Sequence, residues 1–384
     1  MSATIQMPRI MKIGGGTVTQ LPEVLAELGL QRPLIVTDNY MLSQGHADRL
    51  SMLLAAEGIA CDVFGECVPD PTTDSVTACL KKLRDFEADS LVAIGGGSSI
   101  DTAKAVSALA INSGKMRDYK APNTVSRGLP VVAIPTTAGT GSEVTSVAVI
   151  TETETREKMM CKGLGLLPVA ALIDFELTMT MPYRLTADTG IDSLCHALEA
   201  FVSRRSNTFT DGIALQSMQT IYNTLPLACS EPDNREAREA MMLAATQGGI
   251  AFSNASVTLI HGMSRPIGAL FHVPHGLSNA MLLPEVTAFS VSGARDRYAH
   301  CARVMGVCDS RDDQYTVEAL VDGLRKLSAE LSVPTPKEFG IDESEWFESV
   351  DLMATQAIES GSPANNPRIP SEAEIADLYH RVWN

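Results

Sequence analysis

Asp192 and His196 stand four residues apart in the segment Gly190-Ile-Asp-Ser-Leu-Cys-His-Ala-Leu-Glu199. On a helix that spacing puts both side chains on one face, where they can chelate a single ion. Farther along come His261-Gly-Met-Ser-Arg265-Pro266 and His272-Val-Pro-His275-Gly276, three histidines within fifteen residues, set among glycines and prolines. Taken singly, each of these histidines reads as a satisfied core or surface residue. Their joint placement asks for a shared partner, and His300 lies close behind. Asp192 with three such imidazoles makes a mixed nitrogen and oxygen donor set. That set suits Fe2+ or Zn2+ and suits Mg2+ or Ca2+ poorly, since the latter prefer oxygen. The donors do not choose between iron and zinc.

A second group of residues suits a dinucleotide. Gly95-Gly96-Gly97-Ser98-Ser99 follows an apolar run and is itself followed by a helical pattern with Asp101, Thr102 and Lys104. Glycines there let the backbone approach a pyrophosphate, while Ser98 or Ser99 and the amides of a helix N-terminus can hold its oxygens. The pattern is neither GxGxxG nor a P-loop, and a glycine-rich turn can serve strand-to-helix geometry alone. Asp38 ends another strand pattern, where a carboxylate can accept from ribose hydroxyls and would repel a 2′-phosphate, favouring NAD over NADP. Such an aspartate also serves as an ordinary turn or cap residue. The stretch Pro135-Thr-Thr-Ala-Gly-Thr-Gly-Ser-Glu143 is dense in hydroxyls and glycine at a third strand end, suited to a dinucleotide or to plain solvation.

The elements that must position these residues are readable in outline. Leu34 to Thr37, Ile59 to Phe64, Leu91 to Ile94, Val131 to Ile134, Val147 to Thr151 and Val169 to Asp174 read as strands. They alternate with amphipathic helical patterns over Met41 to Glu57, Thr73 to Phe86 and Ser99 to Ile111. Such alternation predicts a mostly parallel sheet in an α/β unit. After about Pro182 the strand signals almost stop and helical patterns take over: Gly190 to Ser203, Thr210 to Tyr222, Arg235 to Ser253, Asp313 to Leu331 and Ser371 to Val382. The expected division is therefore residues 1–182, α/β, and residues 183–384, all-helical.

Composition sets the remaining bounds. The chain has 384 residues with 30 Lys plus Arg against 46 Asp plus Glu, a net charge of −16. That balance excludes a nucleic-acid role through phosphate neutralisation. No apolar run approaches the roughly 20 residues needed to cross a bilayer, and the first ten residues lack a secretory layout, so the expected compartment is the cytoplasm. Eight dispersed cysteines without a CxxC pair read as buried reduced thiols. The many methionines read as core filler, Asp342 to Asp351 as a solvated helix face, and Trp346 and Trp383 as packing residues.

Five segments together carry a resemblance. GGGSSIDTAKA (Gly95 to Ala105), PTTAGTGSEVT (Pro135 to Thr145), TGIDSLCHALEAF (Thr189 to Phe201), HGMSRPIGALFHVPHGLSNAMLLP (His261 to Pro284) and NPR (Asn366 to Arg368) resemble, in order, the signature blocks of the iron-containing alcohol dehydrogenases of group III. The resemblance implies a dehydroquinate synthase-like fold, with a Rossmann-like dinucleotide-binding α/β domain followed by an all-α metal-binding domain. It implies Asp192, His196, His261 and His275 as ligands of Fe2+, or of Zn2+. For NAD it implies Asp38 at the adenosine ribose and Asp70 on the adenine side. Gly96, Gly97 and Ser98 would hold the pyrophosphate, Thr136, Thr137, Thr140 and Ser142 would line the nucleotide, and Lys158 would sit near the nicotinamide ribose. A homodimer or larger homo-oligomer is implied, acting on a small alcohol or aldehyde, with no nucleic-acid or membrane partner.

Arg265 departs from the family pattern, which often has a histidine there to help move the proton. An arginine cannot release its proton at ordinary pH, so His272 with ordered water, or the ribose hydroxyl and solvent, takes that task. Arg265 instead offers a fixed positive fork to an anionic substrate end, unless it pairs with an acidic neighbour such as Glu199. The expected activity is reversible NAD(H)-linked hydride transfer between a small alcohol and its aldehyde. The rival readings are a hydroxyacid-oxoacid transhydrogenase, a glycerol-dehydrogenase-like polyol enzyme, and an inert nucleotide- or metal-binding module.

Overall fold

The computed structural model describes residues 2–384. The chain divides into two compact units, Thr4–Thr180 and Met181–Asn384.

The first unit contains strands β1 (Ile10–Ile13), β2 (Pro33–Asp38), β3 (Asp62–Cys67), β4 (Ser90–Gly95), β5 (Val131–Pro135), β6 (Val147–Thr151), β7 (Lys158–Lys162) and β8 (Ala170–Ile173). Six of them form one sheet in the order β1-β8-β5-β4-β2-β3, every pair parallel. The central strands β2, β4 and β5 are nearly continuous apolar runs because both faces of the sheet are covered. Leu34, Val36, Leu91 and Ala93 pack with Val76, Cys79, Ile100 and Ala103, from helices α4 (Thr73–Phe86) and α5 (Gly97–Ile111). On the opposite face, Ile35, Val92, Ile94 and Val132 pack with Leu21, Leu25, Leu50 and Leu54, from α1 (Leu21–Leu28) and α3 (His46–Ala56).

The chain runs outward from β2 to β3, then crosses back to place β4 on the other side of β2. At such a reversal, loops leaving the carboxyl ends of the two strands diverge to opposite faces and leave a crevice for a ligand. Asp38 ends β2, and Gly95 ends β4. Fold logic thus brings together two residues that are distant in the sequence.

Several elements differ from the sequence expectation. The expected helix over Met41 to Glu57 is two, α2 (Asn39–Ser43) and α3, because Gly45 takes a left-handed conformation at φ 72°. The expected strand at Ile59 begins three residues later, at Asp62. Val147 to Thr151 is a strand, yet it pairs antiparallel with β7 in a separate hairpin rather than joining the sheet.

The second unit has no strand among its described residues. It is built from α6 (Tyr183–Val202), α7 (Thr208–Ser230), α8 (Arg235–Asn254), α9 (Leu259–Phe271), α10 (His275–Ser290), α11 (Arg295–Val304), α12 (Asp313–Glu330), α13 (Pro336–Phe339), α14 (Glu343–Glu359) and α15 (Glu372–Val382). From Gly190 to Val202, α6 is buried on every side, so its polar residues are enclosed by neighbours instead of facing solvent. Two glycines permit close helix approach there. A Cβ on Gly190 would lie 2.3 Å from Leu225 of α7, and one on Gly276 would lie 2.6 Å from the Asp188 carbonyl. The second contact seats the first turn of α10 against α6. Trp346 and Trp383 are packing residues as expected, both buried, with ring centroids 5.7 Å apart. The cysteines are all unpaired.

Candidate functional site

Three helices of the second unit converge on one carboxylate. Asp192 and His196 lie one turn apart on α6, His261 opens α9, and His275 is the first residue of α10. The side-chain donor atoms of Asp192, His261 and His275 lie within 4.8 Å of one another. From Asp192 Oδ1 it is 3.5 Å to His261 Nε2 and 3.7 Å to His275 Nε2. His196 Nε2 is 3.9 Å from the same oxygen, at the edge of the group. Its ring stacks between Phe252, at 4.2 Å, and His261, at 4.6 Å.

Asn279, one turn beyond His275 on α10, shows the polarity of this convergence. Its amide nitrogen donates to Asp192 Oδ1 at 2.6 Å and lies 3.2 Å and 3.3 Å from Nε2 of His261 and His275. Three atoms able to ligate a metal therefore converge on one small volume, as a divalent cation requires. Carboxylate and imidazole donors fit Fe2+ or Zn2+.

Charge is distributed unevenly over the four residues. Burial opposes ionisation of Asp192, but the charges of His196, His275 and His261 outweigh it and hold the carboxyl well below its usual range. Burial dominates at His196 and lowers it to about 4, against the pull of Asp192. Burial also opposes a charge on His261, where the carboxylates of Glu199 and Asp192 win and raise it to about 9. Glu199 is almost wholly buried. It accepts from Thr258 Oγ1 and the Ile260 amide, both at 2.7 Å, and lies 2.5 Å from His261 Nδ1. Despite its burial, the His261 charge and these hydrogen bonds keep Glu199 below the usual carboxyl range.

Arg265 follows His261 by one turn and is half-buried. Burial lowers its pKa and the Glu199 charge opposes that, so Glu199 is an acidic neighbour of Arg265 as well. His272 ends α9 in a left-handed conformation at φ 56° and is exposed.

In the first unit, the glycine turn and the hydroxyl-rich loop meet. Gly95, at φ 149°, has no room for a side chain, since a Cβ would lie 2.5 Å from Ser99 Oγ. A Cβ on Gly97 would lie 3.0 Å from Thr140, and one on Gly96 would lie 3.5 Å from Thr137. Thr136 is buried and its amide donates to the Gly95 carbonyl. Ser99 is buried, whereas Ser98 is half-buried at the open end of α5, a helix with no side-chain cap. Asp38 caps α2, its Oδ1 accepting from the Met41 amide at 2.9 Å, and its Oδ2 faces Gly95. Asp70 and Lys158 pair with each other at 3.0 Å.

Ser142 is buried, and its hydroxyl is occupied inside the unit. It donates to Asp101 at 2.6 Å and accepts from Lys104 Nζ at 2.8 Å. Lys104, wholly buried, also donates to Thr145 Oγ1 and to the Val147 carbonyl, while Asp101 accepts from the Val149 amide. The network ties α5 to the hydroxyl-rich loop and to strand β6. Burial lowers the Lys104 pKa to about 8, against the pull of Asp101.

Comparison with known proteins fits both units. Residues 8–175 match the model of the iron-containing alcohol dehydrogenases, and residues 186–383 match that of the Fe-containing alcohol dehydrogenase family, C-terminal. The chain belongs to the iron-containing alcohol dehydrogenase family. It is 35% identical to a NAD-dependent methanol dehydrogenase of Bacillus methanolicus, over 97% of each chain. It is also 35% identical to a NADPH-dependent butanol dehydrogenase of Clostridium saccharobutylicum, over 98% of this chain and 97% of that one. A solved 1,3-propanediol oxidoreductase structure covers the whole of both chains with a TM-score of 0.95 at 31% identity.

As an iron-containing alcohol dehydrogenase, the chain has the expected α/β unit with a parallel sheet and a helical unit after it. Three residues central to its geometry escape a reading of the sequence as a site: Asn279, Lys104 and Glu199, the last considered only as a partner for Arg265. The signal for Glu199 was its position seven residues after Asp192, which is the same helix face. For Lys104 it was a lone cation in an apolar helical run.

Proposed function

We propose that this enzyme is a divalent-metal-dependent, NAD(H)-linked alcohol dehydrogenase or aldehyde reductase acting on small alcohols and aldehydes. The observation that carries the reading is the convergence of the buried Asp192 and His261 with His275, whose ring stays open to solvent. His196 completes the donor set. When bound, the cation polarises the substrate oxygen as a Lewis acid, a contribution of several kcal/mol, and the dinucleotide supplies the hydride carrier.

The chain's own residues bind and orient. Asp192 and the three imidazoles hold the cation, while the backbone of Gly96 and Gly97 and the Ser98 hydroxyl hold the pyrophosphate at the helix N-terminus. Asp38 Oδ2, left open by the capping role of Oδ1, accepts from ribose hydroxyls and disfavours a 2′-phosphate. Thr137 and Thr140 wall the nucleotide loop, with Thr136 and Ser142 bracing it from beneath. Asp70 and Lys158 border the nucleotide as an ion pair. His272, exposed and titratable, moves the proton that Arg265 cannot release. Arg265 holds a fixed charge that favours substrates with an anionic end. The reading extends to a homo-oligomer in the cytoplasm.

Elemental analysis of protein purified without oxygen, combined with NADH oxidation over a panel of short aldehydes before and after chelation, tests the proposal. The expected result is one Fe2+ or Zn2+ per chain and activity that chelation removes and the metal restores. Metal-replete protein inactive across the panel would refute it.

A further inference from the structure

The face of α6 that carries Asp192 and His196 continues to Glu199. The residue is 1% exposed, and each carboxylate oxygen is engaged. Oε1 accepts from Thr258 Oγ1 and the Ile260 amide, and Oε2 meets His261 Nδ1. Thr258 and Ile260 belong to the start of α9, where amides lack acceptors within the helix and a negative charge is favoured. With both donors on one oxygen, Glu199 faces the ring as an acceptor, and the shared hydrogen sits on Nδ1. His261 Nε2 is then turned toward Asp192, 3.5 Å from its Oδ1. His196 provides an internal contrast. Its Nδ1 is buried without a hydrogen-bond partner among the described residues, and its ring is stacked between Phe252 and His261.

Building on the metal-site reading above, we propose that Glu199 is the positioning residue of that site. It fixes the tautomer and rotation of His261, so that one nitrogen donor is formed before the cation arrives. A carboxylate behind a ligating imidazole also makes the ring a stronger donor, and loss of such a partner weakens metal binding roughly 10- to 100-fold. Thr258 serves the same end by holding the carboxylate.

Co2+ affinity, measured by chelator competition on the stripped and reloaded full chain, tests this together with the visible absorption of the bound Co2+. Glu199→Gln should weaken Co2+ roughly 10- to 100-fold and change the absorption bands, and Glu199→Asp should restore part of both. Thr258→Val, which keeps the carboxylate and removes one of its anchors, should weaken binding about threefold, a small effect because the Ile260 amide still holds the same oxygen. NADH affinity should stay at the wild-type value throughout. Wild-type Co2+ affinity and spectrum in Glu199→Gln would overturn the inference, even if the stripped variant melted at a lower temperature. Should that variant fail to fold, unchanged affinity in Thr258→Val would overturn it. Wild-type protein that takes up no stoichiometric Co2+ would instead bring down the metal reading itself.

Discussion

The glycine turn of the first unit and the histidine cluster of the second are built in opposite ways. Around Gly95 to Gly97 the polar side chains are turned inward. Ser142, Asp101 and Lys104 are spent on one another and on the backbone, which on the proposed reading leaves main-chain groups and the Ser98 hydroxyl for the dinucleotide. Around Asp192 the side chains themselves are the proposed donors, and other side chains, Glu199 and Asn279, contact them. Substitutions in the first region should therefore act through loop shape and stability. In the second they should act directly on chemistry.

The strongest test of that separation is His261→Ala. With the cation lost, aldehyde reduction should fall at least about a thousandfold, matching the several kcal/mol of Lewis-acid stabilisation, while NADH binding measured by fluorescence stays unchanged. A comparable loss of NADH affinity would break the contrast.

Lys104→Met should show the reverse pattern, because Asp101 would keep a buried charge without its cation. Breaking such a pair costs about 3–5 kcal/mol, read as a lower denaturant midpoint and weaker NADH binding with unchanged metal content. Its pH dependence has a definite sign. The native Lys104 pKa, lowered by burial to about 8 from the ordinary lysine value of 10.5, means the unfolded chain binds the proton more tightly. Wild type should therefore gain stability relative to the variant as pH rises from 8 to 10.5, and a flat difference would remove the assignment.

Two smaller effects sharpen the picture. Arg265→Ala should lower kcat/KM for an ω-carboxylated aldehyde about tenfold relative to its neutral analogue of equal length, the lower end for a charged hydrogen bond. Equal losses on both substrates would show that Arg265 only braces Glu199. Asp38→Ala should shift the NADPH-to-NADH preference by several-fold, about 1 kcal/mol for one exposed hydrogen-bonding carboxylate. An unaltered preference would confine Asp38 to its capping role.

The first unit was the more legible in the sequence because its signals are local. Apolar runs such as Leu91 to Ile94 mark buried strands, and the glycine turn follows directly at the strand end. Strand β1 escaped notice because it is four residues long at the sheet edge, Ile10–Ile13 with Lys12 inside. In the second unit, α6 was readable from its periodicity. Helices α9 and α10 were not, since Gly262, Pro266, Gly276 and Pro284 interrupt any helical propensity. Tertiary packing overrides that propensity: the glycines are where Pro363 and Asp188 press against the helices. The histidines were visible as a group, but which helix neighbours would hold them depended on that packing.

The pairing of His196 with Phe252 has a consequence for the breadth of ions accepted. A ring lying flat on a phenyl face can slide a few tenths of an ångström with little loss, whereas the ring braced by Glu199 cannot. On the proposed metal reading one wall of the cage is stiff and the other compliant, so a change of cation radius should be met first by travel of His196 over Phe252.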